Sequence, residues 1–577
     1  MRSGRSAGEL PWRSVRSCQH IFIPAIDRSG RERRISRSGL LDDWGLFEYY
    51  IPHSIGGKFR SGDENLLIMR MIARRDLTVA IGHGKTFLGA IAVWLAGSQE
   101  QKDALKAIIR KPGRVSLGLT ERAHGSDLVA TEVKATSTDD GFLLSGEKWL
   151  INNATRGKAL SVLVKILGGK HNGTIAMLFV EKDKLPVGSY SHLPKNLTHG
   201  IRGADISGIA FHDSKVPVSA IIGRANDGLL TVLKLLQVTR TGCLPLSLGA
   251  ADTALRMTVD FAVTRQLYQT TVFSLPYARR QLVEAFADIL ISECVAPCVS
   301  RLFHVRPEQM SLASAVAKYF VPETLETTIE NLSVVLGARH YLRAGHWDGM
   351  FQKILRDNAI VGLFDGSTAV NLTVICGELV ARAQRLEKGS NEPLDEKLES
   401  IFCLFRELPE FDLSRLVLSN RGIDDVLDAL PQVPARLSRM REQKQIDDRC
   451  HAALTPLVEA FLRELSQQNR SILVDPEKAR GAHTPPELFE AAKRYCVFYA
   501  ASACIHFWIY NQRGLGEFAA RPDWLLVCLT RLLRVFRPMQ PECSAPTVEA
   551  MEQEMLRLHS QNRLFSLFPV QLAKPAG

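Results

Sequence analysis

Asp365 stands between Phe364 and Gly366, at the end of the stretch Arg356-Asp357-Asn358-Ala359-Ile360-Val361-Gly362-Leu363-Phe364-Asp365-Gly366-Ser367-Thr368. The earlier residues of that stretch read as a helix-like segment running into the acid. A carboxylate in that position suits a general base pressed against a bound ligand. Asp-Gly is equally plain turn chemistry, and the stretch alone leaves both readings open. Gly82-His83-Gly84-Lys85-Thr86 resembles a phosphate-binding loop. However, Val79 occupies the place of the first glycine and no strand precedes it, so a helical reading is preferred. Cys294 and Cys298 are spaced for one face of a helix rather than for a zinc knuckle, and no metal site is expected.

The elements that must carry these residues belong to a long, ordinary globular chain. At 577 residues it exceeds one core. Its 46% hydrophobic and 23% charged residues exclude a disordered or fibrous class. No apolar run is expected to cross a bilayer, the nearest candidate being 502–510. The net charge of +11 is concentrated at the start, where residues 1–39 hold nine Arg against Glu9, Asp27 and Glu32. That segment reads as a basic flexible leader, or as an organelle transit peptide. Eleven cysteines without framework spacing read as reduced thiols. The expected location is therefore cytoplasmic, or the mitochondrial matrix if the leader is a transit peptide. The positive field suits phosphorylated ligands or an acidic carrier protein. No nucleic-acid module is recognisable.

Periodicity divides the chain into helical, strand-rich and again helical parts. Residues 40–111 form a helical N-terminal domain, in which Leu67, Met71 and Ile72 share one face and Phe87, Leu88, Ile91, Ala92 and Leu95 another. Residues 112–225 form a small antiparallel β domain, with a hairpin signature at Thr138-Asp139-Asp140-Gly141 and strands over 115–119, 160–167, 174–180 and 208–212. Residues 226–387 form a helical bundle with helices over 229–238, 250–262, 282–300, 312–319 and 323–336. Residues 388–577 form a further helical domain, with joints at Glu392-Pro393 and Thr484-Pro485-Pro486. Its segments 500–510 and 525–536 are apolar enough for a buried core. The basic run Arg531-Leu532-Leu533-Arg534-Val535-Phe536-Arg537 also admits a membrane-facing amphipathic helix, as the minority reading.

Four ordered stretches carry a family resemblance over about residues 40–386. Gly45-Leu46-Phe47, Ile51-Pro52, Gly56-Gly57 and Gly97-Ser98-Gln99-Glu100-Gln101-Lys102 come first. Leu119-Thr120-Glu121-Arg122-Ala123-His124-Gly125-Ser126-Asp127 follows, then Gly146-Glu147-Lys148-Trp149-Leu150-Ile151-Asn152-Asn153, and last the stretch ending at Asp365. Together they resemble the acyl-CoA dehydrogenase family. The resemblance implies a mainly α protein with a helical N-domain, a β-barrel-like middle domain and a four-helix C-domain, here with an extra helical domain. It also implies bound FAD, a homodimer or homotetramer, and an acyl thioester substrate carried by CoA or an acyl-carrier protein.

The implied roles fall residue by residue. Asp365 would be the catalytic base for the α-proton, with flavin N5 accepting hydride from the β carbon. Leu117, Leu119, Thr120, Ser126, Trp149, Ile151, Asn152, Arg265, Tyr268 and Ser367 would bind the cofactor. Arg265 would fork onto its pyrophosphate, and Tyr268 would touch the FAD of a neighbouring subunit. Ser126, Arg240 and Gly366 would contact substrate. The family pattern has glutamate where Asp365 stands, threonine at Asn152, tryptophan at Leu150 and proline at Arg122. Thr239 occupies the family's alternative base position. Val334, Pro276 and Ala369 replace glutamines, and Leu336-Gly337-Ala338-Arg339-His340 departs from the family's glycine-rich pattern. The leading expectation is FAD-dependent α,β-dehydrogenation of an acyl thioester, passing electrons to an electron-transfer flavoprotein or dioxygen. A flavin oxidase or monooxygenase of the nitroalkane-oxidising kind is the alternative, since that branch uses aspartate as base. A non-catalytic scaffold is the third.

Overall fold

The computed structural model describes residues 39–387, 394–473, 484–568 and 570–573. The leader and the Glu392-Pro393 joint lie outside them. The chain forms two compact units. One holds residues 39–60 and Arg75–Thr239, the other Ser61–Arg74 and the described residues from Arg240 onward.

In the strand-bearing unit, helices α1 (Gly39–Trp44), α3 (Leu77–Ala96) and α4 (Gln99–Arg110) accompany a seven-stranded sheet. Asp76 caps α3 by accepting from the Val79 N–H, and Ser98 with Gln101 closes a capping box on α4. The strands are β1 (Val115–Gly118), β2 (Lys134–Ser137), β3 (Gly141–Asn152), β4 (Ala159–Leu167), β5 (Ile175–Glu181), β6 (Tyr190–Leu193) and β7 (Ile206–Pro217). Their order is β1-β4-β2-β3-β7-β6, with β5 on β4. The Thr138–Gly141 hairpin is present between β2 and β3. The domain is not purely antiparallel as expected: β4 pairs in parallel with both β1 and β2. Alternating Val133, Ala135, Phe142 and Leu144 meet Leu160, Val162, Val164 and Ile166 in one core.

Helix α3 swallows the supposed phosphate loop. It is also the one described helix long and apolar enough to cross a membrane, which corrects the expectation that no run reaches that length. Most of it is buried, and it serves as a core helix. Gly89 lets it lie on β1, since a Cβ there would sit 2.8 Å from the Ser116 main chain. The Ser161 hydroxyl donates to the Gly89 carbonyl at 2.7 Å, and Asn153 Nδ2 donates to the Gly82 carbonyl at 3.0 Å. His83 is wholly buried: Nε2–H donates to Asp42 and Nδ1 accepts from the Tyr50 hydroxyl, both at 2.8 Å.

The helical unit is built from α2 (Gly62–Ala73), α5 (Gly228–Thr264, its first turns in the other unit), α6 (Pro276–Val305), α7 (Met310–Leu336), α8 (Met350–Asn358) and α9 (Thr368–Glu387). The expected helices over 229–238 and 250–262 are one 37-residue helix with Pro245 inside, and those over 312–319 and 323–336 are one with Pro322 inside. A proline removes one ladder bond, and packing on both sides carries the helix through. Residues beyond 394 belong to this same compact unit. Helix α14 (Pro486–Asn511) buries Tyr495–Trp508 almost without interruption, and α16 (Asp523–Leu533) packs beside it.

The basic run at 531–537 faces acids of the protein rather than a membrane. Arg531 pairs with Asp288 at 2.5 Å and Glu284 at 2.9 Å, Arg534 with Glu284 at 3.3 Å, and Arg537 with Glu464 at 2.9 Å. This corrects the amphipathic-surface reading. Arg301 of α6, also buried, pairs with Asp63 at 2.9 Å and donates to the carbonyls of Ile401 at 2.7 Å and Cys403 at 2.8 Å.

Two stability outcomes follow from these contacts. Arg301→Met strands Asp63 and two carbonyls away from water, and should cost about 3 kcal/mol in urea unfolding. Burial holds the His83 pKa down to about 4 from 6.5. The unfolded chain therefore binds the extra proton, so this contribution is complete above pH 6.5 and is lost as pH falls towards 4. The span is ~3 kcal/mol. Urea midpoints across that window should fall for the native sequence and fall less for His83→Gln.

Candidate active site

The helix leading to Asp365 ends earlier than the sequence implied. Helix α8 buries Phe351 and Ile354 and stops at Asn358. Turns follow, with the Val361 N–H donating to the Asn358 carbonyl at 2.9 Å and Leu363 N–H to Ile360 at 3.0 Å. Asp365 and Gly366 then adopt φ of 56° and 99°, left-handed backbone that suits Asp and Gly better than bulkier residues. Ser367 precedes α9 and accepts the Val370 N–H at 3.5 Å as its cap. The Asp-Gly pair is thus a turn, and the turn is what presents the carboxylate.

Around that turn the structure brings Asp365, Gly366 and Arg240 together. The Cys243 thiol, on α5 one turn beyond Arg240, donates to Asp365 Oδ2 at 3.4 Å. Arg240 is 4% exposed, and burial lowers its pKa to about 10 while the Asp365 charge pulls it back up. A Cβ on Gly366 would lie 3.3 Å from Arg240 Nε and 3.5 Å from Asn371 Oδ1. Both of those buried atoms lack a hydrogen-bond partner among the described residues.

Lys318 was not anticipated from sequence. Buried on α7, its Nζ donates to the Val361 carbonyl at 2.7 Å and the Gly366 carbonyl at 3.3 Å, and lies 5.7 Å from the Phe364 ring centroid. Asn371 Nδ2 adds donors to the Gly366 and Ser367 carbonyls at 2.9 and 3.0 Å. The only hint in the sequence was a lysine closing the apolar run Ala313-Ser314-Ala315-Val316-Ala317.

In the strand-bearing unit, Leu117, Leu119 and Thr120 lie at the exit of β1, an end strand that pairs with β4 alone. A buried cluster fixes that exit. Lys148 Nζ donates to the Leu119 carbonyl at 3.1 Å, to the Thr131 hydroxyl at 3.0 Å and to Glu121 at 2.6 Å. Burial pushes Lys148 down to about 8, with Glu121 opposing it. Burial also works against the Glu121 charge, but bonds from Lys148, Thr131 and the Glu132 N–H outweigh it and hold the carboxyl below its usual range. The Trp149 N–H donates to the Thr120 carbonyl at 2.9 Å, its indole donates to Asn196 Oδ1 at 3.2 Å, and Arg122 lies 5.0 Å over its ring. A register shift between Trp149 and Ile151, with Leu150 at φ 55°, turns Leu150 outward and Ile151 inward. Asn152 follows, its Oδ1 buried without a partner among the described residues. Ser126 is exposed on the loop after Thr120.

Arg265 and Tyr268 are not part of the Asp365 cluster. They sit on the hairpin β8 (Gln266–Leu267) to β9 (Thr270–Thr271), where Tyr268 is 87% exposed. Val334 is exposed at the end of α7, and His340 Nδ1 lies 2.7 Å from the Gly337 carbonyl.

Gly366→Ala tests the turn. It adds a Cβ against Arg240 in a backbone conformation unfavourable to L-residues, and should lower unfolding stability by roughly 1–2 kcal/mol. Gly377→Ala, on open α9 surface, is its control and should instead stabilise by up to about 1 kcal/mol.

The comparisons with known proteins agree with this architecture. Residues 226–379 match the acyl-CoA dehydrogenase C-terminal domain and residues 116–214 the middle domain. The probable acyl-CoA dehydrogenase FadE25 of Mycobacterium tuberculosis is 22% identical over 342 residues, which are 59% of this chain and 86% of that relative. A crystal structure of acyl-CoA dehydrogenase complexed with FAD from Bacillus anthracis is 18% identical. It aligns over 92% of this chain and 90% of its own with a TM-score of 0.59, so the added C-terminal helices also have a structural counterpart. The prolyl acyl carrier protein oxidase AnaB is 16% identical, aligns over 65% of this chain and 98% of its own, and scores 0.57. Both family domains occur here in order, on the expected helical and strand-rich segments, and residues 116–214 and 226–379 are acyl-CoA dehydrogenase family domains.

Proposed function

We propose that this protein is an FAD-dependent oxidoreductase that introduces an α,β double bond into an acyl thioester, with Asp365 as the base. The observation that carries the proposal is the Asp365 carboxylate, raised on a left-handed turn and set beside the buried Arg240 guanidinium. Members of this family are FAD-dependent enzymes acting on the CH–CH group of acyl thioesters.

The residues present fit the cofactor. Leu117 on β1 and Leu119 just beyond it would offer main-chain groups to a flat ligand with a polar rim. The orphaned Asn152 Oδ1 is a buried acceptor in need of a donor. Thr120, Ser126, Trp149 and Ile151 are the further FAD contacts proposed in the strand-bearing unit and Ser367 the one proposed in the helical unit, and Arg265 with Tyr268 would reach a second copy of the chain. Bound FAD would supply the two-electron acceptor for the β-hydrogen.

The protein's own part is proton transfer and positioning. The thioester acidifies the α C–H, and an Asp365 oxygen takes that proton as the bond pair moves toward Cβ. The buried Arg240 guanidinium places a positive charge beside the carboxylate. Lys318 and Asn371 fix the carbonyls on either side of it, so the base does not have to be organised during reaction. The thioester carrier is CoA or an acyl-carrier protein. The likeness to AnaB favours testing carrier-protein thioesters, and with the aspartate base it supports an oxidase as the second reading.

Purified protein should be yellow, and its flavin should bleach on anaerobic addition of one of a panel of saturated acyl-CoA and acyl-carrier-protein thioesters. Asp365→Asn should bind the same thioester but bleach about a thousandfold more slowly. Protein that stays colourless after reconstitution with FAD would sink the proposal. Oxygen consumption during turnover would select the oxidase reading over transfer to an electron-transfer flavoprotein.

A further inference from the structure

Asp365 is one methylene shorter than the glutamate usual in the family, and its two oxygens interchange by rotation about a soft, two-fold torsion. A base on such a rotor reaches its proton only while one oxygen is turned correctly, and misplacement of about 1 Å can cost on the order of a hundredfold. Cys243 supplies one bond that restricts the rotation. It lies three residues beyond Arg240 on α5, hence on the same helix face, is 2% exposed, and donates its thiol hydrogen to Oδ2 at 3.4 Å. We infer that Cys243 is a positioning residue for Asp365, its S–H bond committing one carboxylate oxygen and thereby fixing the direction of the other. The inference rests on Asp365 being the base.

A thiol suits this task for a chemical reason. S–H is a weak donor, so it orients the carboxylate while withdrawing little of its electron density. A strong donor at the same place would orient it too, but would stabilise the charged form and blunt the base. Arg240 and Cys243 thus divide the work, the first lying beside the turn as a positive charge and the second holding the carboxylate's angle. Gly366 takes part by lacking a side chain, which leaves the guanidinium its place beside the turn.

The test has one arm that needs no substrate. The S–H stretching band falls in a window of the infrared spectrum free of other protein vibrations. The FAD-loaded protein should show a component displaced to lower frequency by hydrogen bonding. That component should vanish in Cys243→Ala and move to higher frequency in Asp365→Asn. A band indifferent to Asp365→Asn overturns the inference, whatever the enzyme does.

The second arm is anaerobic flavin reduction by the thioester found active. Cys243→Ala should slow reduction about tenfold with the thioester dissociation constant unchanged within about twofold, and Cys243→Ser, which restores the orientation through a stronger donor, should recover only part of the rate. Equal rates in native protein and Cys243→Ala overturn the inference and leave the dehydrogenase reading standing. Native holoenzyme reduced by no thioester overturns both.

Discussion

The active-site turn depends on one buried ammonium. Lys318 reaches from the middle of α7 to two carbonyls, Val361 and Gly366, that bracket the segment carrying Asp365. A lysine is costly to bury, and its charge is compensated here by carbonyl dipoles and the face of Phe364. In return the left-handed pair Asp365-Gly366 is held from below, while α9 begins directly after it and Asn371 closes the other side. Local strain at the turn is therefore supported by a helix that makes no contact with ligand in the proposed reaction.

A similar arrangement recurs in the strand-bearing unit. Lys148 ties the exit of β1 to Glu121 and Thr131, so the loop carrying Thr120 and Ser126 springs from a fixed point. In both units a lysine on a regular element binds the main chain of an irregular one. Asp365, Gly366, Thr120 and Ser126, among the residues proposed to meet cofactor and substrate, hang from those irregular segments, and a buried lysine stands behind each.

Much of this was readable beforehand, and the failures have physical causes. The 138–141 hairpin was legible because turn residues flank alternating strands. Asp365, Gly366 and Arg240, singled out from separate stretches, come together at one turn. Parallel pairing of β4 was not legible, because period-two alternation identifies a strand without naming its neighbour. Pro245 and Pro322 split two helices on paper that packing keeps whole. Arg531 looked like a surface cation because its partners, Glu284 and Asp288, lie far away in sequence. Lys318 escaped for the same reason: its partners are carbonyls, which every residue has.

The segment Phe565–Phe568 is tied by its main chain to the interior of the helical unit. The Phe565 N–H donates to buried Asp252 at 2.9 Å, the Leu567 N–H donates to buried Glu293 at 2.7 Å, and Arg70 of α2 donates to the Phe565 carbonyl at 3.0 Å while pairing with that same glutamate. Two interior carboxylates of α5 and α6, each already paired with an arginine at the end of α2, therefore also hold the main chain of a segment far away in sequence. Loss of either carboxylate would release α2 and this segment together, so the four pieces open and close as one cooperative unit.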